Sequence, residues 1–251
     1  MDLLSQFAEA ILPLTNTLWP LIAVFSRLSA FFLLVPVFGE RTIPVRIRLG
    51  VALICSFLLF PLIEGEAVSN MSQGLTLILT EAVSGFALGL SLRLFVIGLQ
   101  IIGTIISNSL SLSQPLGEGI STEPNPTIST FLMLGGLTLM VSLNLHVELI
   151  VMLARSFQTV PLGSMMDMGD QARWLTDLAV SMLRLCLSLA LPFLVLNFTY
   201  NLILGFLNRA MPQLLVSFVG IPGITLAGIV LLMVCASAIL LAWMRAFAAL
   251  L

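Results

Sequence analysis

Residues 75–106 read LTLILTEAVSGFALGLSLRLFVIGLQIIGTII. An apolar run this long decides the fold. A helix needs roughly 20 apolar residues to cross the ~30 Å hydrocarbon core of a bilayer, whereas a membrane strand needs only about 10. The run therefore reads as a membrane helix longer than one crossing requires. It carries two ionisable residues, Glu81 and Arg93. On one helix their twelve-residue separation places them about 18 Å apart, so they cannot pair with each other. An Arg near the centre of a lipid-facing helix costs about 2.5–3.5 kcal/mol on insertion scales. Each charge thus needs a partner from another helix or chain, or access to water. Gly85 and Gly89 form a GxxxG step just after Glu81, where a neighbouring helix can approach closely.

The rest of the chain extends this pattern. Of 251 residues, 59% are hydrophobic and 9% charged, and mean hydropathy is +1.14. A soluble domain carries about 25% charged residues. Too little polar surface exists to cover a water-exposed globule, so lipid or other apolar protein must cover most of it. Apolar segments run over 18–38, 47–63, 75–106, 128–154, 178–207 and 224–247. They predict an all-α, polytopic membrane protein of six helices in a single membrane domain. Residues 3–14, closed by Pro13, either lie at the interface or open the first helix. No internal repeat is visible. The N-terminus lacks a cation before Arg27 and does not read as a cleaved signal.

Proline and glycine mark the breaks. Pro36, Gly39 and Pro44 bracket the first, and Pro61, Gly65 and Gly74 the second. Pro115, Gly117, Gly119, Pro124 and Pro126 fill the third. Pro161, Gly163 and Gly169 mark the fourth, and Pro212, Gly220, Pro222 and Gly223 the fifth. The first break holds Arg41, Arg46 and Arg48 against Glu40, and the second Glu64 and Glu66 without a cation. The positive-inside rule then places the first break in the cytoplasm, with the N-terminus outside.

Further charges fall inside apolar segments, at Arg27 and Arg184. Together with Glu81 and Arg93 they fit either an ion pathway or burial against other subunits or a water-filled conduit. All ten cations are Arg, which stays charged when desolvated and makes forked hydrogen bonds. The absence of basic runs argues against nucleic-acid binding. The three cysteines match no metal or redox spacing. His146 and Glu148, two residues apart, face different sides of a helix and make a poor ligand pair. No catalytic triad, phosphate loop or carboxylate pair stands out, so nothing supports an enzyme or a cofactor.

The segment 106–127 has the oddest composition. From Ser107 to Ser113 polar and apolar residues alternate, and glycines and prolines follow. Polar, non-helical backbone between two apolar segments must lie in water, in a protein interior or along a water-filled cavity. A surface loop and a re-entrant or gating loop are both compatible with it.

The block Asn208-Arg209-Ala210-Met211-Pro212-Gln213, followed by Gly220-Ile221-Pro222, is highly specific. Its lead-in is Ala190-Leu191-Pro192 and Gly205-Phe206-Leu207. Arg27, Pro36-Val37-Phe38-Gly39, Pro44-Val45-Arg46, Glu81, Gly85 and Gly89 precede it. In this order the residues resemble the FliR family, export-gate proteins of flagellar type III secretion, over nearly the whole chain. The resemblance implies assembly with several copies of FliP and FliQ, in contact with FlhB and FlhA, as a channel for unfolded flagellar subunits. It implies a multi-pass protein of the bacterial inner membrane within the basal body. About 1–177 would be FliP-like and about 178–251 a FliQ-like helix pair turning at Asn208, Arg209, Pro212, Gln213, Gly220 and Pro222. It also implies that a loop over about 106–122 plugs the pore, with Ile106, Ser107, Asn108, Ser109, Leu110, Ser111, Leu112, Ser113, Gln114 and Pro115 at its core. Arg27, Glu81, Arg93 and Arg184 would then pack against other subunits. The alternatives are a homologous gate subunit of a virulence injectisome and an independent membrane transporter.

Overall fold

In the computed structural model of the chain, backbone is described for residues 3–40, 43–63, 70–110, 127–164, 167–210 and 216–251, and side chains from Leu18 onward within those ranges, save 216–219 and Ile221. Every regular element among them is helical: α1 (Leu3–Leu34), α2 (Val45–Leu59), a short 3-10 turn (Phe60–Leu62), α3 (Met71–Ser109), α4 (Thr127–Ser142), α5 (Leu145–Thr159), α6 (Met168–Ala210) and α7 (Val216–Ala248). Four helical stretches are long and apolar enough to cross a membrane, and the bent pair α4–α5 makes a fifth. The described apolar part of α1, Leu18–Leu34, is shorter than a full crossing. Among the described residues, four or five of the six expected spans are thus long and apolar enough for a full crossing.

Three boundaries differ from the sequence expectation, each for a local reason. The apolar segment 128–154 is two helices, broken sharply at Asn144. Asn144 has φ 56°, in the left-handed region. Asn is among the few residues that visit this region, because its short amide bonds locally. Replacing Asn144 with Val is expected to cost about 1–2 kcal/mol, the penalty of a Cβ-branched residue held left-handed, while Gly should be tolerated. Thermal unfolding of the purified chain followed by circular dichroism would show the difference.

The second difference concerns 106–109, expected as irregular loop. Helix α3 continues through Ser109, and Leu110 closes it by donating its N–H to the Ile106 carbonyl at 3.1 Å. Ser109 turns its hydroxyl onto the Ile105 carbonyl at 2.7 Å, which satisfies it inside the helix. The third concerns the last break. Helix α7 begins at Val216, so Gly220, Pro222 and Gly223 lie inside it. Pro222 is the seventh residue of α7, so the helix gives up the bond its N–H would have made to the Phe218 carbonyl and continues past it.

Contacts divide the chain into two compact units. The first comprises 1–93 and 144–178 with Leu251, and the second 94–143 and 179–250. In the first unit, Ala23, Val24, Arg27, Leu28, Phe31 and Phe32 of α1 and Val35 just after it are buried. Their spacing of one, three and four residues is one face of a helix. That face meets the small residues of α3: Ser84, Gly85 and Gly89 are buried there. In the second unit, Trp243 and Phe247 of α7 close on Phe95 of α3. The indole N–H donates to the Phe95 carbonyl at 2.8 Å, and the Phe95 and Phe247 rings meet edge-on at 5.3 Å. Gly136 of α4 leaves room for Leu99 and the Trp243 ring, and Gly103 lets the Ser129 backbone approach α3.

Among the described residues, helix α3 is the most buried of the long apolar helices. Of its most apolar stretch 56% is buried, against 17% in α2 and in α7. The outer helices leave long apolar side chains outward, including Ile54, Leu58, Phe198, Phe206, Met233 and Val234. Such surface demands lipid or partner helices.

Candidate functional site: a sealed charge network and the base of the α3–α4 loop

The charges of α1 and α3 find their partners in the first unit. Arg27 and Glu81 are each 0% exposed and form an ion pair, with Nε donating to Oε2 at 2.5 Å. The second carboxylate oxygen, Oε1, accepts the Gly163 backbone N–H at 3.0 Å. The other guanidinium nitrogens reach past the pair. Nη2 donates to the Val160 carbonyl at 3.1 Å and Nη1 makes a long contact of 3.4 Å with the Ser156 hydroxyl. The guanidinium carbon sits 4.1 Å from the centre of the Phe157 ring. Attraction between a cation and an aromatic face strengthens when both are desolvated. Such a pair offsets its desolvation only when its remaining hydrogen-bonding capacity is met, and the end of α5 meets it here. Lys would not substitute simply for Arg27, since the forked guanidinium serves three acceptors at once.

Close helix approach makes this geometry reachable. A Cβ on Gly85 would overlap the Arg27 backbone carbonyl, so α1 and α3 touch main chain to main chain beside the pair. One turn on, a Cβ on Gly89 would stand 3.0 Å from the Leu34 Cβ and from the Phe31 oxygen. Ser26 adds a hydrogen bond from its hydroxyl to the Ile78 carbonyl at 3.1 Å.

A second pair lies at the end of α1. Arg93 Nη1 donates to Glu40 Oε1 at 2.7 Å, and both side chains are partly exposed. Arg48 of α2 donates to the backbone carbonyl of the same Glu40. Glu40 therefore ties α1, α2 and α3 together. The turn leading into it contains Val37 at φ 73°, a strained conformation for a β-branched residue.

Arg184 stands apart. It lies on the exposed side of α6 with Leu183 and Leu187, and its guanidinium has no partner among the described residues. The structure thus joins Arg27 with Glu81, gives Arg93 a different partner, and leaves Arg184 outward.

The α3–α4 loop is described only at its ends. Ser111, Leu112, Ser113, Gln114 and Pro115, with the rest of 111–126, lie outside the described residues. At its base Leu110 is fully buried in the second unit, seated over Gly228 of α7, where a Cβ would collide with its side chain. Thr225 makes a long hydroxyl contact of 3.4 Å with the Leu110 carbonyl. Ile106, Ser107 and Ser109 are buried, while Asn108 is exposed. Asn208 and Arg209 occupy the last turn of α6, where a cation suits the helix C-terminus. Pro212 and Gln213 lie outside the described residues. Gly220 of α7 abuts the Tyr200 side chain of α6, so the two helices touch there.

Sequence reasoning did not find the contribution of α5. Ser156, Phe157, Val160 and Gly163 have no local signal of their own, apart from Gly163 marking a break. Glu40 was visible as the one anion of a basic turn, but not as the partner of Arg93.

The profile of the family described as "Bacterial export proteins, family 1" matches residues 18–250, which is nearly the entire chain. The chain belongs to this family. It is 31% identical over 224 residues to the flagellar biosynthetic protein FliR of Caulobacter vibrioides, covering 88% of this chain and 89% of the relative. It is 30% identical over 216 residues to FliR of Escherichia coli K12, covering 85% and 81%. FliR of Bacillus subtilis is 29% identical over 223 residues, covering 86% and 85%. The family member described here is thus a multi-pass membrane component of the flagellar export apparatus, a transport protein and not an enzyme.

Proposed function

We propose that the chain is a gate subunit of the flagellar type III exporter, assembling with FliP and FliQ in the bacterial inner membrane into the channel for unfolded flagellar subunits. FlhB and FlhA are its further partners in this reading. The observation that carries it is the Arg27–Glu81 pair, sealed at 0% exposure with both carboxylate oxygens engaged. A coupling site for ions must exchange protons or ions with water. These charges are instead committed to packing, which suits a subunit of a larger helical assembly better than an independent transporter. The outward apolar faces of α2, α6 and α7 point the same way. The loop after Leu110 acts as the closure of the channel, and its movement opens the path. The seat of the Leu110 side chain on Gly228, at the base of that loop, supports this reading.

Native mass spectrometry of the tagged full chain, co-expressed with FliP and FliQ, tests the proposal. One large complex with a single copy of this chain and several of each partner is the expected result. A stable monomer or homo-oligomer that captures neither would overturn it.

A further inference from the structure

The head of α2 carries positive charge that its own surroundings leave unbalanced. Glu40 is the one acid between Val35 and Ile47. Its carboxylate accepts from Arg93 and its backbone carbonyl from Arg48. Arg46 is exposed and has no partner among the described residues. Two residues, about 200° of helix rotation, separate it from Arg48, so it stands on the opposite side of α2 from the contact with Glu40.

The face of Arg46 continues as an uncovered apolar strip. Gly50, Leu53 and Phe57 follow at steps of four, three and four residues, which keeps them on one side of the helix. Leu53 is 46% and Phe57 58% exposed, and nothing lies within 4 Å of the place a Cβ would occupy on Gly50. Phe57 is about 16 Å along the axis from Arg46, close to half of a ~30 Å hydrocarbon core. The strip is thus one leaflet deep, with its cation at the headgroup end.

An anionic amphiphile matches this arrangement in charge and in length. A guanidinium takes phosphate through two parallel hydrogen bonds. The arginines of the turn place it on the cytoplasmic side, where the leaflet surface is negative. The bilayer itself brings a lipid phosphate to the depth of Arg46.

We propose that the Arg46–Gly50–Leu53–Phe57 face of α2 holds one anionic phospholipid, its phosphodiester on the Arg46 guanidinium and an acyl chain drawn close to the helix at Gly50. This site goes beyond the gate reading and does not depend on it.

Native mass spectrometry of the tagged full chain in neutral detergent tests it, with phosphatidylglycerol, phosphatidylcholine or inorganic phosphate added. One phosphatidylglycerol adduct is expected, about fivefold more occupied than the phosphatidylcholine adduct at equal concentration. Arg46→Gln should make the two lipids equal, and Arg46→Lys should keep most of the preference. Gly50→Leu fills the strip in open space and leaves every charge in place, so it should lower the phosphatidylglycerol adduct by about threefold. Equal binding of the two lipids by wild type, a preference that survives Arg46→Gln, or full occupancy in Gly50→Leu would overturn the proposal. An inorganic phosphate adduct as well occupied as the lipid would also overturn it, since the strip would then add nothing. The adduct should persist when the chain is purified in the complex proposed above. Its loss there would mean that protein covers the strip, which overturns the lipid as occupant and leaves the gate reading standing. Should Arg46→Gln fail to accumulate, the wild-type preference and Gly50→Leu decide.

Discussion

Glu81→Leu is expected to destabilise the first unit by about 3–5 kcal/mol, the cost of breaking a buried ion pair from one side. The substitution strands Arg27 in an apolar interior with only the Val160 carbonyl, the Ser156 hydroxyl and the Phe157 ring left. It also orphans the Gly163 N–H, which Glu81 Oε1 accepts at 3.0 Å. Removing both charges together, in Arg27→Met with Glu81→Leu, is expected to recover most of the loss. Apolar replacement of an entire buried pair is often neutral or better. Recovery will stop short by about 1–3 kcal/mol, because the Gly163 N–H stays unmet. Unfolding of the detergent-solubilised chain, followed by tryptophan fluorescence, gives the order: wild type, double variant, single variant. A Glu81→Leu protein as stable as wild type would show that the pair holds nothing together. Ion transport lost from such a stable protein would restore the transporter reading.

Gly85→Ala should be nearly as damaging, by a different route. Overpacking a well-packed interior costs typically about 1–3 kcal/mol, and more when nothing can yield. At Gly85 the added carbon meets the backbone carbonyl of Arg27, which cannot rotate away. The helices must separate, and the Arg27–Glu81 hydrogen bonds lengthen with them. The expected loss is therefore at or above the upper end of that range. Gly89→Ala is the internal control. Its Cβ would lie 3.0 Å from the Leu34 Cβ and the Phe31 oxygen, a few tenths of an ångström too near. An effect several-fold smaller is expected there, read in the same unfolding experiment. Equal effects at the two glycines would mean that the close approach is not centred on Arg27.

Much of this architecture was legible in residues 75–106. Their length and apolarity gave the membrane helix, and Gly85 and Gly89 gave its closest contact. That Glu81 needs a partner on another helix followed from spacing alone. Which helix did not, because Arg27 is 54 positions away and nothing in the sequence ranks it above Arg184. The α5 residues that complete the network were harder still. Ser156 and Val160 act through a hydroxyl and a backbone carbonyl, groups that almost every stretch of chain possesses. Local conformation misled in both directions. Asn144 sits in the run Leu143-Asn144-Leu145, whose apolar flanks hide a break made by one left-handed residue. The alternation from Ser107 onward suggests a loop, yet α3 runs on to Ser109, whose hydroxyl is satisfied within the helix by the Ile105 carbonyl. Pro222 and Gly220 punctuate a sequence, but near the start of α7 they do not interrupt a helix.

The sealed pair also sets a schedule for synthesis. Arg27 emerges from the ribosome 54 residues before Glu81. At about 5–20 residues per second, it waits roughly 3–11 seconds for its counter-charge. During that interval α1 alone bears the cost of about 2.5–3.5 kcal/mol for an Arg at membrane depth. The Val160 carbonyl and the Gly163 N–H arrive later still. Helix α1 therefore gains part of its stability in the membrane only after α3 is made, and the first helix of this protein is completed by a contact that its third supplies.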